Sequence, residues 1–448
     1  MRHNILHIAA YTLIAGLLGI NNLQAQDTTK LTLQHAIELG IKNSKELKNS
    51  QAQVAVAAAL TREAKNRQLP DASISGAYLY LPFNPDIDLK LKTGSSSGGG
   101  APTSSSALPT VSQAMYGIAN ASLPIFAGGK LRYGVESAKY LEQATKLNAD
   151  NNRQQVVVNT VSAFANLYKS KKAVDLVKEN LAQSQQRVND FTNLEKNGIV
   201  ARNDLLKVEL QSSNIELSLL DAESNFKLAS VNMDLMLGLP EETMLDPDSS
   251  SLVQPDSIKT IGEYELSALQ SRKEITALNL QKKAADLGVK SAKADYYPTL
   301  AITGGYVALD VPNLITVTNA LDFGVGLKYN ISSLWKTKAT VHEAQARALE
   351  LESNEELLND NIRLQINQAF ENYLLSQKKI EVLQQAVVQA TENYRITKNK
   401  YDNSLETTTD LLDADVASLQ AQLNYSNAKA DAVVSYNILL QSAGLLNN

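Results

Sequence analysis

The chain has 448 residues, a formal net charge of −5 and no cysteine, with aromatic residues at 6% and charged residues at 20%. At ~100–200 residues per domain, that length suits two to four globular domains. The missing cysteine excludes a disulfide scaffold, a thiolate metal cluster and a thiol nucleophile; the mild acidity argues against a nucleic-acid surface; and only His35 and His342 remain outside the extreme N-terminus, so a two-histidine zinc-protease motif is absent.

Met1 to Asn4 carries one positive charge, Arg2. Ile5 to Ile20 is then an apolar run without Asp, Glu, Lys or Arg, followed by Asn21-Asn22-Leu23-Gln24-Ala25. Residues 1–25 read as a secretory signal cleaved after Ala25. The other reading is a transmembrane anchor, but the run falls short of ~20 residues and has no bases on its far side. Losing Arg2 takes the net charge to −6. No cysteine follows the cut, which removes lipid attachment there. No later stretch is apolar enough to span a bilayer as a helix. Any membrane span of the exported chain is therefore expected to be made of strands.

Past the signal, the chain repeats itself. Lys45-Glu46-Leu47 matches Lys273-Glu274-Ile275, and Leu69-Pro70 through Tyr78 matches Tyr297-Pro298 through Tyr306 at the same offset. Leu123-Pro124-Ile125 matches Tyr329-Asn330-Ile331, Asp204-Leu205-Leu206 matches Asp410-Leu411-Leu412, and Gly238-Leu239 matches Gly444-Leu445, all at a second, shorter offset. The difference lies in extra sequence between Tyr78 and Leu123, where the Gly/Ser tract 93–106 reads as an exposed flexible loop. The expected organisation is a first repeat over 26–240, a linker over 241–262 rich in Pro, Asp and Ser, and a second repeat over 263–448.

Each repeat is expected to run helix, two strands, very long helix, turn, long helix. The strands are placed at about 72–82 and 115–126, then 299–310 and 322–332. The helices are placed at about 131–196, 202–237, 336–401 and 408–443, because these stretches hold almost no Gly and no Pro. Leu131 to Lys196 would measure ~99 Å as a helix, far beyond an ordinary globular helix, so side-by-side coiled-coil packing is implied. Leu205, Val208, Ser212, Ile215, Leu219, Ala222, Phe226, Ala229 and Met233 alternate steps of three and four, as such a seam requires. Ile380 to Tyr394, and Leu412, Val416, Leu419 and Leu423, repeat the pattern.

Phe323 to Ile331 alternates strictly: Phe323, Val325, Leu327, Tyr329 and Ile331 on one side, Gly324, Gly326, Lys328 and Asn330 on the other. Gly117 to Ile125 is a weaker version, opposed by Asn120 and Ser122. A strand of ~9–11 residues, apolar outside and polar inside, is the signature of an outer-membrane barrel. A half-buried soluble sheet gives the same alternation. Export, and the lack of a second apolar layer, favour the barrel. Four strands cannot close alone, and unpaired edges in lipid cost several kcal/mol per group, so several chains must each contribute four. Tyr78, Tyr80, Phe83, Tyr116, Tyr296, Tyr297 and Trp335 lie at strand ends, either as interfacial aromatic belts or through ordinary strand propensity.

These pieces in this order resemble the TolC family of outer-membrane efflux ducts. The likeness rests on Leu31 to Leu39 with Asn43 and Glu46-Leu47, on Leu69-Pro70, on Leu123-Pro124-Ile125-Phe126-Ala127-Gly128-Gly129, and on Gly198-Ile199-Val200 with Asp204-Leu205-Leu206 and Asp410-Leu411-Leu412-Asp413-Ala414. It covers Leu31 to Leu446. The resemblance implies a mainly α chain with a small β part. Three copies would form a 12-strand transmembrane β-barrel continued by a periplasmic α-barrel, with a periplasmic adaptor and an inner-membrane transporter as partners. It implies that the adaptor meets the turns at Gly198, Ile199, Val200, Asp204, Leu205, Leu206, Ser404, Leu405, Leu411 and Leu412.

Thr407 and Asp410 have capping-box spacing, whereas Ala201 replaces the hydroxyl in the first repeat. Asp410 and Asp413 share a helix face. By spacing alone they suit a solvated first turn; the resemblance makes them a ring of acids at the narrowest part of the closed pore. Asp415 is expected to face elsewhere. Lys207 stands where the second repeat has Asp413. No cofactor, metal or catalytic set is expected, and the implied function is the outer-membrane exit duct of a tripartite efflux system. Alternatives are an exit for secreted proteins, and a periplasm-spanning scaffold that conducts nothing. An enzyme is the weakest reading, since no nucleophile, base and acid stand together.

Overall fold

A computed structural model describes residues 29–83, 111–251, 257–312 and 314–446. The signal segment 1–25, the Gly/Ser tract 93–106 and residues 252–256 of the linker lie outside the described residues. After a short strand β1 (Thr29–Leu31), the first half runs α1 (Leu33–Asn43), α2 (Lys45–Asn66), β2 (Asp71–Tyr80), β3 (Gln113–Phe126), α3 (Lys130–Lys196) and α4 (Arg202–Leu237). A short strand β4 (Leu245–Pro247) precedes the second half: α5 (Ile261–Ser271), α6 (Lys273–Ala294), β5 (Thr299–Val311), β6 (Ile315–Lys328), α7 (Ser333–Asp402) and α8 (Thr408–Ser442). Equivalent helices have 11 and 11, 22 and 22, 67 and 70, and 36 and 35 residues. No described helix is long and apolar enough to cross a membrane.

The chain divides into two compact units, each drawing on both halves of the sequence. One holds Gln51–Ala149 with Lys273–Asn359; the other holds the chain up to Ser50, Asp150–Arg272 and Asp360 onward.

The first unit carries a single antiparallel sheet in the order β2-β3-β5-β6. Its register sorts the residues by face. Ile74, Ala119, Tyr306 and Leu321 form one cross-strand row, and Ala72, Ala121, Gly304 and Phe323 the next. The opposite face carries the rows Ser73-Asn120-Gly305-Asp322 and Asp71-Ser122-Thr303-Gly324. Among the described residues no layer covers the apolar rows: Ile74 is 89% exposed, Leu321 81% and Phe323 82%. Tyr116 pairs with Ala77 and Leu309 and so lies on the face of Asn120, which removes it from any belt formed by Tyr78 and Tyr80. Beneath the sheet, Thr61 Oγ1 donates to the Ala138 carbonyl at 3.2 Å and Ser137 Oγ to that of Ala284 at 3.1 Å, tying α2 to α3 and α3 to α6. Lys282 pairs with Glu355 between α6 and α7.

The strand expected at 322–332 begins seven residues earlier and ends at Lys328. The early part escapes an alternation test because a bulge interrupts it. Val307 pairs with Ala320 and Leu309 with Val317, leaving an extra residue on β6. Asn319 takes it up in the left-handed region, φ 60, with its amide donating to Tyr306 Oη at 3.3 Å. The strand stops at Lys328 because the Asn330 carbonyl accepts from the Ser333 amide at 2.9 Å and turns the chain. Helix α7 therefore starts at Ser333 and not at 336.

In the second unit β1 pairs in parallel with β4, and Leu31, Phe164, Leu167, Met233, Leu237 and Leu245 form a closed core around them. All nine expected seam residues of α4 are buried or half-buried. Helix α8 departs from expectation. Val416 is exposed, and the buried stripe is Thr408, Leu411, Leu412, Ala414, Asp415, Ser418 and Ala421.

Candidate functional site

Two helix turns close the second unit. Both use the same stop. In the first, Gly198 adopts φ +71 while its amide donates to the Glu195 carbonyl and that of Ile199 to Leu194. In the second, Ser404 adopts φ 63 while its amide donates to Tyr401 and that of Leu405 to Lys400. These paired bonds satisfy carbonyls that the helix end leaves open. A left-handed serine costs ~1 kcal/mol relative to glycine, so the second turn is the more strained. Its restart is the better made: Thr407 Oγ1 accepts from the Asp410 amide, and the Asp410 carboxylate accepts from the Thr407 amide at 3.2 Å and its hydroxyl at 2.5 Å. Ala201 makes no side-chain cap for α4. The Thr407 hydroxyl and amide hold the Asp410 carboxyl below the ordinary carboxylate range.

Asp410 and Asp413 are both exposed on one side of α8. Lys207 Nζ sits 3.3 Å from Asp204 Oδ1 and 3.4 Å from Thr409 Oγ1, so the first repeat contributes a cation beside that side. Of the apolar turn residues, Ile199 is 68% and Leu405 74% exposed, and Leu206 is also open to solvent. Gly198 and Ser404 are exposed, and Val200 and Asp204 half-buried. Leu205, Leu411 and Leu412 are buried. They lie inside the turn region, where Leu205 and Leu412 cluster with Phe191 and Val208 and the Phe191 ring stacks on Tyr401 at 5.5 Å. A Leu-Leu pair on a helix cannot present both side chains outward when one face is packed, so these three are not surface residues of the isolated chain.

The sequence reading missed a buried polar cluster above the turns. Asp415 on α8 accepts from Arg187 Nη1 at 2.9 Å and from Asn180 Nδ2 at 3.2 Å, both on α3. Arg187 Nη2 donates to Tyr394 Oη on α7 at 3.0 Å. Arg187, Asp415 and Asn180 are all buried. Burial pulls the guanidinium pKa down, Asp415 pulls it up, and the net displacement is upward. One ion pair thus joins three helices. A second missed group is Asp234, in the last turn of α4, wholly buried with both carboxylate oxygens unpartnered among the described residues. Burial, and then the charge of Glu241, push its pKa up to about 6. A lone acid at a seam-adjacent position carries no local signal of its burial. Among the described residues no group of three His, Asp or Glu is placed to hold a metal.

The outer membrane efflux protein family model matches residues 81–239 and 266–445. The chain belongs to this family. The outer membrane efflux protein BepC of Brucella suis is 24% identical over 333 residues, covering 71% of this chain and 70% of that protein. The crystal structure of VceC from Vibrio cholerae superposes with a TM-score of 0.72 over 92% of this chain and 96% of its own, at 19% identity. The CmeC outer membrane channel of Campylobacter jejuni gives 0.74 over 93% and 87%, at 18% identity. Similarity at that level is a similarity of fold, and the fold is the one built above: long paired helices with four strands. The chain is an outer-membrane efflux protein.

Proposed function

We propose that three copies of this efflux protein join their sheets into a 12-strand barrel and their long helices into a periplasmic tunnel. The tunnel passes substrates delivered by an inner-membrane transporter through a periplasmic adaptor. One observation carries the reading: among the described residues the four-stranded sheet leaves both edges, β2 and β6, unpaired and its Ile74-Leu321-Phe323 face uncovered. Water would tolerate the edges but not the face, and lipid the face but not the edges. Both are satisfied only when other copies extend the sheet to closure in a bilayer. The chain acts as a conduit and carries out no chemical step.

The adaptor is read as meeting the exposed turn residues Gly198, Ile199, Leu206, Ser404 and Leu405 and the half-buried Val200. Asp410 and Asp413, three copies of each, form the acidic gate at the closed end, where a ring of acids favours cations and opposes anions. Purified protein in planar bilayers is expected to give small cation-selective currents. Because these carboxylates hold the closed end shut in this reading, Asp410→Ala/Asp413→Ala is expected to raise the total current while lowering its cation preference. Asp410→Asn/Asp413→Asn keeps a capping oxygen and separates lost charge from a lost cap. Equal currents from all three forms would remove the gate assignment, and no current from any form would favour the non-conducting scaffold.

A further inference from the structure

The polar face of the sheet carries three charges among the described strand residues: Asp71, Asp322 and Lys328. Asp71 and Lys328 lie at the end where the strands join helices α2 and α7. Asp322 lies further along, in the row Ser73-Asn120-Gly305-Asp322. Beyond it the next rows on this face are Ser75-Ile118-Val307-Ala320 and Ala77-Tyr116-Leu309-Val317, without a charge. Asp322 is exposed and makes no ion pair among the described residues. Its carboxylate reaches over Gly305: a Cβ there would come within 2.7 Å of Asp322 Oδ1 and 3.1 Å of Asn120 Oδ1. The missing side chain leaves room for these two polar groups to lie side by side above β5.

We infer that Asp322 is a specificity-determining residue of the barrel itself, a second acidic belt, separate from Asp410 and Asp413, that favours small cations over anions in the membrane-spanning part of the duct. The assignment rests on the trimeric reading, in which three copies of this carboxylate face one lumen. A low-dielectric wall concentrates the field of an unpaired charge into the water it surrounds. The reach of that field is the Debye length, ~10 Å at 0.1 M salt and ~3 Å at 1 M, so the preference is strongest in dilute salt. Asp310 provides an internal control. It stands on the opposite face of the same sheet, in the row of Tyr78, Met115 and Thr316, and accepts from Thr316 Oγ1 at 2.7 Å.

The test is reversal potential across a KCl gradient, with Asp322→Asn and Asp310→Asn each placed in the Asp410→Ala/Asp413→Ala chain so that Asp410 and Asp413 do not mask the effect of Asp322. Asp322→Asn is expected to lower the cation-to-anion permeability ratio roughly twofold near 0.1 M salt, and to leave it unchanged near 1 M. Asp310→Asn is expected to leave it unchanged at both. Current with an unaltered reversal potential for Asp322→Asn overturns this assignment alone, as does an equal shift from Asp310→Asn. Absence of current from the parent overturns the duct reading, and this assignment with it.

Discussion

Asp234 shows how much one side chain can cost when nothing answers it. Its carboxyl is fully buried without a partner among the described residues, and its folded pKa is about 6 against an ordinary value of 3.8. A raised acid pKa means the folded state resists ionisation. The group therefore costs nothing below about pH 4, costs progressively more between about pH 4 and 6, and costs its full amount above that. Asp234→Asn removes the charge and is expected to stabilise the protein by roughly 1–3 kcal/mol at pH 7. The gain should vanish near pH 4, as read by thermal unfolding of the detergent-solubilised protein across that range. A pH-independent difference would place the effect in packing. Asp410 has the opposite sign. Its depressed pKa means its cap is complete at neutral pH and is lost as the pH falls through the folded pKa.

At the scale of elements, the ion pair of Arg187 and Asp415 decides how α8 sits against α3 and α7. The surface pairs along these helices, such as Arg347 with Glu343 or Lys378 with Glu381, are exposed and contribute little. A buried pair behaves differently: removing one partner strands the other charge away from water. Asp415→Leu is expected to destabilise by ~3–5 kcal/mol, and Arg187→Met/Asp415→Leu to recover most of that loss. Limited proteolysis and thermal unfolding of the single and double variants check both halves. A double variant as weak as the single one would mean that the pair's hydrogen bonds to Asn180 and Tyr394, and not its charge balance, hold the helices. Because the pair sets which stripe of α8 is buried, it also sets that Asp410 and Asp413 stay exposed.

For the whole molecule, the sheet's two faces make opposite demands. A charge at Leu321 would meet hydrocarbon in an assembled barrel, at a cost of ~2–4 kcal/mol near the bilayer midplane. The same charge at Ser122, on the Asn120 face, would meet water. Leu321→Arg is expected to reduce the amount of oligomer recovered from outer membranes severalfold, whereas Ser122→Arg leaves it close to the parent, measured by membrane fractionation and unheated gels. Equal recovery of both variants would contradict a lipid-facing Leu321 row.

Much of this architecture was legible from residues close together in sequence. Helices and strands have fixed periods, so the punctuation-free stretches, the α4 seam, the strict alternation from Phe323 to Lys328, the capping box of Thr407 and Asp410, and the duplicated order of elements could all be read locally. The bulge at Asn319 could not, because one extra residue breaks the period that reveals a strand. Nor could the inward turn of Leu411, beside the seam residue Leu412, since two adjacent leucines fit either side of a helix until a neighbour is chosen. The partnership of Arg187 with Asp415 spans 228 residues. Local chemistry says what each of them is, but only the packing of α3 against α8 removes the water that would otherwise satisfy both, and so turns two ordinary surface charges into an internal joint.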